Sequence, residues 1–147
     1  MALANIPYKI KFFVHPIPLT AVAVMALNDH WGKYAFPGIL TGKLSDFCGV
    51  FYLPILMLAL IVAFDELFGV NKFRLSKRTT IVAILFTDFL MVLVKLSPAS
   101  ARAIEAFFAN YLFQIQLIQD PTDLTSLLVN PLTYLYLRRY WMASKET

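Results

Sequence analysis

The sequence is poor in the residues on which most small catalytic and metal sites depend. Its 147 residues include one cysteine, two histidines and five glycines. The lone Cys48 excludes an intramolecular disulfide and a cluster of thiolate metal ligands. His15 and His30 lie at opposite ends of one apolar stretch, which disfavours a haem held by two histidines. The signatures Gly-x-Ser-x-Gly and His-Glu-x-x-His do not occur, and we expect neither a metal nor a cofactor.

Charged residues are also scarce. They make up 15% of the chain, against 59% hydrophobic residues, and the mean hydropathy is +0.67. This composition lies outside the range of soluble globular domains and predicts a polytopic membrane protein. The net charge of +4 does not indicate a nucleic-acid partner, because the cations lie in short loops beside apolar runs rather than along one face. The orientation of the protein in the membrane explains the excess of basic residues better.

Four segments approach the length of about 20 mostly apolar residues that a helix needs to cross the hydrocarbon core. A fifth apolar segment carries Glu105 and several amide side chains, and we interpret it as interfacial or re-entrant. The predicted fold is all-α: one integral membrane domain over residues 1–147, a polytopic transmembrane bundle of four helices plus one interfacial or re-entrant helix. The predicted spans are about 12–28, 47–66, 79–96 and 122–140, and the interfacial helix is about 103–119.

The distribution of lysine and arginine predicts the orientation of the four spans. Four of these residues fall in the first and third loops, and nine fall in the termini and the second loop. The nine are Lys9, Lys11, Lys72, Arg74, Lys77, Arg78, Arg138, Arg139 and Lys145. Because cytoplasmic loops carry the excess of cations, we expect a multi-pass protein with both termini in the cytoplasm. The first loop and the acid-rich segment before the fourth span then share the extracytoplasmic face.

The connection between the first two spans, residues 28–46, is the most polar stretch of the chain. Capping of the neighbouring helix ends explains part of this polarity. Asn28 and its neighbours end the first span, and Ser45 with Asp46 is placed to cap the start of the second. Capping does not account for Lys43 or for the neighbouring Gly42. A glycine at this position could let backbone N–H groups face an anion.

A functional interpretation of the same stretch assigns chemistry to its side chains. Asp29 would orient His30 as a base or a ligand, while Lys33 and Lys43 would supply cations for a phosphate or a carboxylate. Asp123 lies on the same predicted face, and helices in a bundle pack about 10 Å apart, so this acid can meet the loop. Both interpretations are compatible with the sequence.

Asp88 is the residue of the predicted spans with the largest free-energy cost of insertion into a membrane. An acid near the bilayer centre costs about 2.5–3.5 kcal/mol on insertion scales unless it is paired, protonated or hydrated. Such residues face the interior of the bundle, and we predict that Asp88 forms a hydrogen bond with a polar group from another span. Asn130, within the fourth span, is placed to hydrogen-bond across helices.

Two stretches are similar to the VanZ-like family of small four-span bacterial membrane proteins. Residues 45–51 (SDFCGVF) resemble that family's acid-plus-aromatic start of the second span. Residues 123–130 (DLTSLLVN) resemble its acidic run leading to an asparagine in the last span. The resemblance implies four spans, a bacterial cytoplasmic (inner) membrane location and a role at the cell envelope, since the family is associated with glycopeptide resistance.

Three functions fit this pattern. The first is a membrane protein whose extracytoplasmic polar cluster binds an anionic lipid headgroup or a cell-envelope precursor. Binding is favoured over catalysis because no pair of nucleophile and base is visible. The second is a non-catalytic accessory subunit that packs against other transmembrane subunits of a complex, and the third is a lipid-directed hydrolase or transferase with His30 as base. The candidate ligand-binding residues are Asp29, His30, Lys33, Lys43, Ser45, Asp46, Asp88 and Asp123.

Overall fold

A computed structural model describes residues 10–70, 73–111 and 114–143. Every regular element in these ranges is helical, which confirms the predicted all-α class. The elements in chain order are α1 (Pro16–Leu27), a π-helical turn (Asn28–Gly32), α2 (Lys33–Ala35), α3 (Ile39–Leu67), α4 (Lys77–Leu96), α5 (Pro98–Tyr111), a 3₁₀ helix (Pro121–Val129) and α6 (Asn130–Ala143). Three of the cations in the orientation argument, Lys9, Lys72 and Lys145, lie outside the described residues.

Two helices are long and apolar enough to cross a membrane. They are α3, with 29 residues, and α4, with 20 residues, whose most apolar 18-residue windows have mean hydropathies of 2.5 and 2.0. Only 33% of the apolar window of α3 and 22% of that of α4 is buried inside the protein. A core helix of a soluble domain hides most of its apolar side chains, whereas most of the apolar window in each of these two helices is only partly buried or exposed.

Helix α3 begins earlier than predicted, at Ile39, with Gly38 as its N-cap residue. The prediction that Ser45 and Asp46 cap this helix is therefore wrong, because both lie inside it. The Pro37-Gly38 pair provides the turn instead, and Thr41 hydroxyl donates hydrogen bonds to the carbonyls of residues 36 and 38 just before the helix. Polar residues can occupy the first turns of α3 because their side chains find partners on other helices.

The predicted helix over 103–119 is displaced toward the N-terminus. Helix α5 covers Pro98–Tyr111, and the described residues 114–120 are not helical. Proline is favoured in the first turn of a helix, and the Ser97 hydroxyl accepts a hydrogen bond from the backbone N–H of Ser100, 3.2 Å away. After α5 the chain folds back, since the backbone N–H of Leu117 donates to the Glu105 carboxylate at 2.6 Å.

The core lies toward the end of the molecule where α3 ends and α4 begins. Phe12, Ile55, Leu58, Val62, Ala83, Tyr136 and Leu137 are among its buried members. The Tyr136 hydroxyl donates to the backbone carbonyl of Phe12 at 2.6 Å. The segment before α1 and the later turns of α6 therefore lie at the same end of the molecule. The opposite end, where α3 begins and α4 ends, holds most of the polar side chains predicted to form a site.

Candidate functional site

Three elements bring five charged side chains together at the end of the molecule opposite the core. Lys43 and Asp46 project from the first turns of α3, and Lys95 comes from the last turn of α4. Asp120 and Asp123 come from the start of the 3₁₀ helix. We call these five residues the charge cluster. Its formation confirms that the acid-rich segment near residue 120 meets the polar stretch at residues 28–46.

Asp123 is the centre of the charge cluster. Lys43 donates a hydrogen bond to one of its carboxylate oxygens and Lys95 donates to the other. The side chain of Asp123 is only 8% exposed, so its charge is almost entirely removed from water. A buried carboxylate is tolerated only when charge partners and hydrogen bonds compensate its lost hydration, and the two ammonium groups provide both.

Lys43 also contacts Asp120, the most exposed acid of the charge cluster. Its ammonium lies 2.6 Å from an Asp120 oxygen, and the Asp120 side chain is 43% exposed. The other Asp120 oxygen accepts from the backbone N–H of Thr122 at 2.9 Å, which caps the 3₁₀ helix. The hydrogen bond from Lys43, followed by those from Thr122, holds the pKa of Asp120 well below its ordinary value of 3.8.

The charge cluster has more acids than bases. Lys95 donates to the backbone carbonyl of Ile118 at 3.0 Å and lies 3.7 Å from an Asp46 oxygen. Three aspartates and two lysines give this group one net negative charge. Asp46 has the loosest contact of the three acids, and its side chain is 24% exposed. Part of the cluster's carboxylate surface therefore still faces water.

A second set of polar contacts joins the π-helical turn to α3. The side-chain amide of Asn28 donates to the Thr41 carbonyl at 2.7 Å and to the Ser45 hydroxyl at 2.8 Å. The Ser45 hydroxyl donates to Asp29 at 2.6 Å. A β-carbon at Gly32 would lie 2.8 Å from the Asn28 side-chain oxygen. Glycine at position 32 therefore leaves room for buried Asn28 to reach α3.

Asp29 does not orient His30. Its carboxylate pairs with Lys33 at 2.7 Å and accepts from Ser45, and among the described residues no hydrogen bond joins it to His30, whose side chain is exposed. Partial burial raises the pKa of Asp29, but the hydrogen bonds from Lys33 and Ser45 and the nearby positive charge outweigh it and lower the pKa overall. The functional interpretation of His30 as an oriented base thus lacks its acid partner.

Asp88 is bound by a side chain from another helix, as predicted. The amide nitrogen of Asn130 donates to both carboxylate oxygens of Asp88, at 3.0 and 2.9 Å. Lys95 is seven residues further along α4, about 10 Å along the helix axis. Asp88 therefore belongs to a separate polar contact inside the bundle and is not a member of the charge cluster.

Three residues of this end were absent from the predicted site. They are Lys95, Asp120 and Asn28, and each had a signal in the sequence. Lys95 ends an apolar span on the predicted extracytoplasmic face, and Asp120 begins the acid-rich segment there. Asn28 precedes the acid that it helps to position. None of the three could be ranked above neighbouring polar residues without knowing which helices touch.

The carboxylates of the charge cluster are engaged by the two lysines. The lysines use their N–H donors on the carboxylates, so a metal ion would have to displace ammonium groups from these acids. Within the described ranges, no three side chains of histidine, cysteine, aspartate or glutamate are grouped to hold a metal.

No family model matches the chain, and comparisons with curated proteins and with solved structures give no significant match.

Proposed function

We propose that this chain is a small integral protein of the bacterial cytoplasmic membrane. In this proposal it has four spanning rods and both termini in the cytoplasm, and its charge cluster binds the phosphate of an anionic lipid headgroup or a cell-envelope precursor. The observation that carries the proposal is the position of two lysines and three aspartates at one end of two outward-facing apolar helices. Polar side chains at the edge of a bilayer lie among the lipid headgroups and can contact them.

The shorter helices support four spans when their neighbouring segments are included. The chain is helical without interruption from Pro16 to Ala35, because the π-helical turn continues α1 and α2 continues that turn. This rod is about 30 Å long, comparable with the thickness of the hydrocarbon core, and its polar end from Asn28 onward lies among the headgroups. The 3₁₀ helix and α6 likewise form one rod from Pro121 to Ala143, roughly 40 Å long. These rods, with α3 and α4, make four of sufficient length.

The length of α3 supports placing the charge cluster at the membrane edge. Its 29 residues extend about 43 Å, which exceeds the roughly 30 Å of hydrocarbon. The excess allows the first turns of α3 to lie among headgroups. Trp31, Tyr34 and Phe36, just before these turns, are exposed, as expected of aromatic residues at an interface.

Distribution of charge supports the proposed orientation. Phe12 and Tyr136 place the start of α1 and the later turns of α6 together, at the end where the described cations Arg74, Lys77 and Arg78 also occur. Arg138 and Arg139 follow in α6. A cation-rich end is typical of the cytoplasmic side, which leaves the charge cluster on the extracytoplasmic side.

Phosphate binding by the charge cluster requires one exchange of partners. An ammonium has three N–H donors, and Lys43 directs its donors to Asp120, Asp123 and Thr122. The contact with Asp120 is the replaceable one, because exposed ion pairs contribute little free energy. A phosphate oxygen takes the place of the Asp120 carboxylate on Lys43, while buried Asp123 keeps both lysines in position.

A titration of the full chain in maltoside micelles with dihexanoyl phosphatidic acid tests this exchange. Asp120→Asn should tighten binding, because it removes the competing carboxylate, and Lys43→Gln should weaken binding roughly tenfold. Arg102→Gln is the matched control, since Arg102 is an exposed cation on the same proposed face outside the charge cluster. Equal affinity of the wild type and Lys43→Gln would refute phosphate binding at this cluster.

The resemblance to the VanZ-like family supports the same proposal. The two stretches that carry it contain Asp46 and Asp123, and both acids contact Lys95. We therefore propose a role at the cell envelope for the charge cluster. An accessory subunit is the second candidate, favoured by the outward-facing apolar side chains of α3 and α4. Purification of the chain alone, in monodisperse form and with phosphatidic acid binding, supports the first candidate over the second.

A further inference from the structure

An apolar groove lies between α3 and α4 at the end opposite the charge cluster. It encloses about 160 Å³. Its walls come from the second half of α3, from the segment before α4 and from the first turns of α4. The side chains that matter for its chemistry are Met57, Ile61, Phe73, Arg78, Thr79 and Val82.

The groove opens toward the surface that α3 and α4 turn outward. Ile61 and Val82 line it and are also exposed, and the exposed residues Leu60, Ile81 and Leu85 continue the apolar surface on either side. An apolar groove continuous with such a surface suits an apolar chain better than a polar solute. An apolar cavity of about 150 Å³ holds a benzene-sized molecule, so this groove accommodates about six carbons of a chain.

Arg78 provides a cation in the lining of this groove. It is exposed, and in the described part of the chain no hydrogen bond or ion pair joins it to an acid. The other polar residue of the lining, Thr79, is already engaged, because its hydroxyl and the Ser76 side chain form the capping box of α4. Charge complementarity at the groove therefore depends on Arg78, which favours an anionic group beside an apolar chain.

We propose that this groove binds an anionic phospholipid of the cytoplasmic leaflet. One acyl chain lies against Ile61, Phe73 and Val82, and the lipid phosphate accepts hydrogen bonds from the Arg78 guanidinium. Arginine binds phosphate with a planar fork of donors. This site is independent of the charge cluster. It rests on α3 and α4 crossing the membrane and, for the choice of leaflet, on the orientation proposed above.

Electron paramagnetic resonance of the full chain in phosphatidylcholine vesicles tests the proposal. Trace amounts of phosphatidylglycerol or phosphatidylcholine carry a spin label near the end of one acyl chain, and the motionally restricted fraction of each is compared. The wild type should favour phosphatidylglycerol roughly fivefold, as expected for one cation close to a lipid phosphate. Arg78→Gln should remove most of this preference, and Lys77→Gln, the matched control one residue away, should retain it.

A second pair of variants tests the acyl chain. Val82→Trp and Ile61→Trp fill the groove from opposite walls, and both positions are exposed enough to accept a larger side chain. Each should lower the restricted fraction of both labelled lipids. Equal association of the two lipids with the wild type, equal effects of Lys77→Gln and Arg78→Gln, or no effect of either tryptophan would overturn the proposal. Titration of the charge cluster with phosphatidic acid is unaffected by these outcomes, so the two proposals fail separately.

Discussion

Lys43 donates a hydrogen bond to the buried carboxylate of Asp123, 80 positions further along the chain. This contact joins the first turns of α3 to the start of the last helical rod. Lys95 binds the other oxygen of the same carboxylate, so one acid connects three elements. The packing of this end of the molecule depends on it, and so does the proposed phosphate binding.

Replacing Asp123 should destabilise the fold strongly. Asp123→Asn removes the negative charge between Lys43 and Lys95 and leaves two poorly compensated ammonium groups, a change that costs about 3–5 kcal/mol when a buried pair is broken. Thermal unfolding in maltoside micelles, followed by circular dichroism, measures the effect. Asp120→Asn is the control, and it should lower the unfolding midpoint much less than Asp123→Asn because the Asp120 side chain is 43% exposed and its ion pair is screened by water. Similar midpoints for the two variants would contradict a central role for Asp123.

The contact between Asp88 and Asn130 predicts that replacing one partner lowers stability more than replacing both. Asn130→Leu leaves an acid without its hydrogen-bond donor inside the bundle and should cost about 2–3 kcal/mol. The double variant Asp88→Leu with Asn130→Leu removes both polar groups and should recover most of that loss. Unfolding free energies in micelles provide the comparison. An unchanged stability of Asn130→Leu would show that the contact contributes nothing.

Two glycine-to-alanine substitutions should have opposite effects. At Gly32 the new β-carbon would lie 2.8 Å from the Asn28 side chain, so Gly32→Ala displaces that side chain and should cost about 1–3 kcal/mol. At Gly42, inside α3, nothing lies within 4 Å of the new β-carbon. Gly42→Ala should therefore stabilise the helix by about 0.5–1 kcal/mol. Unfolding midpoints that move in the same direction would contradict this account of the π-helical turn.

Stability should fall at acidic pH through Asp120 and Asp29. Their partners lower the pKa of each carboxyl in the folded protein below its ordinary value of 3.8. The unfolded state then binds protons first as the pH decreases, so the stabilisation is complete above about pH 4 and is lost as the pH falls toward the lowered folded values. Unfolding midpoints between pH 7 and pH 2 measure it. The double variant Asp29→Asn with Asp120→Asn should show a flatter profile than the wild type.

Sequence patterns were sufficient for features governed by composition and charge. The apolar content predicted membrane-spanning helices, and α3 and α4 are long and apolar enough to cross a membrane. Counting cations by loop placed the stretch 28–46 and Asp123 on one face, and the ion pair with Lys43 joins those two segments. The cost of an acid within a span predicted a partner for Asp88 from another helix, which Asn130 provides. In each case one dominant free-energy term decides the outcome.

Features that depend on tertiary contacts were not predictable in this way. Ser45 and Asp46 have the composition of a helix cap, yet they lie inside α3 because Asn28, Asp29 and Lys95 contact their side chains. Asp29 precedes His30 directly, but successive side chains on a helix point in different directions, whereas Lys33 at the fourth position lies on the same face. The choice between these partners follows from helix geometry and packing, which local composition does not specify.

The most direct measurement concerns which side of the membrane the charge cluster faces. Single cysteines are introduced at exposed positions in a Cys48→Ala background, with Gly38→Cys and Thr125→Cys near the charge cluster and Phe68→Cys and Arg139→Cys at the other end. A membrane-impermeant maleimide is then added to intact cells or after lysis. Residues 38 and 125 should react in intact cells, and residues 68 and 139 should react only after lysis. Labelling of 38 and 125 under different conditions, or of all four in intact cells, would contradict an extracytoplasmic charge cluster in a four-span protein.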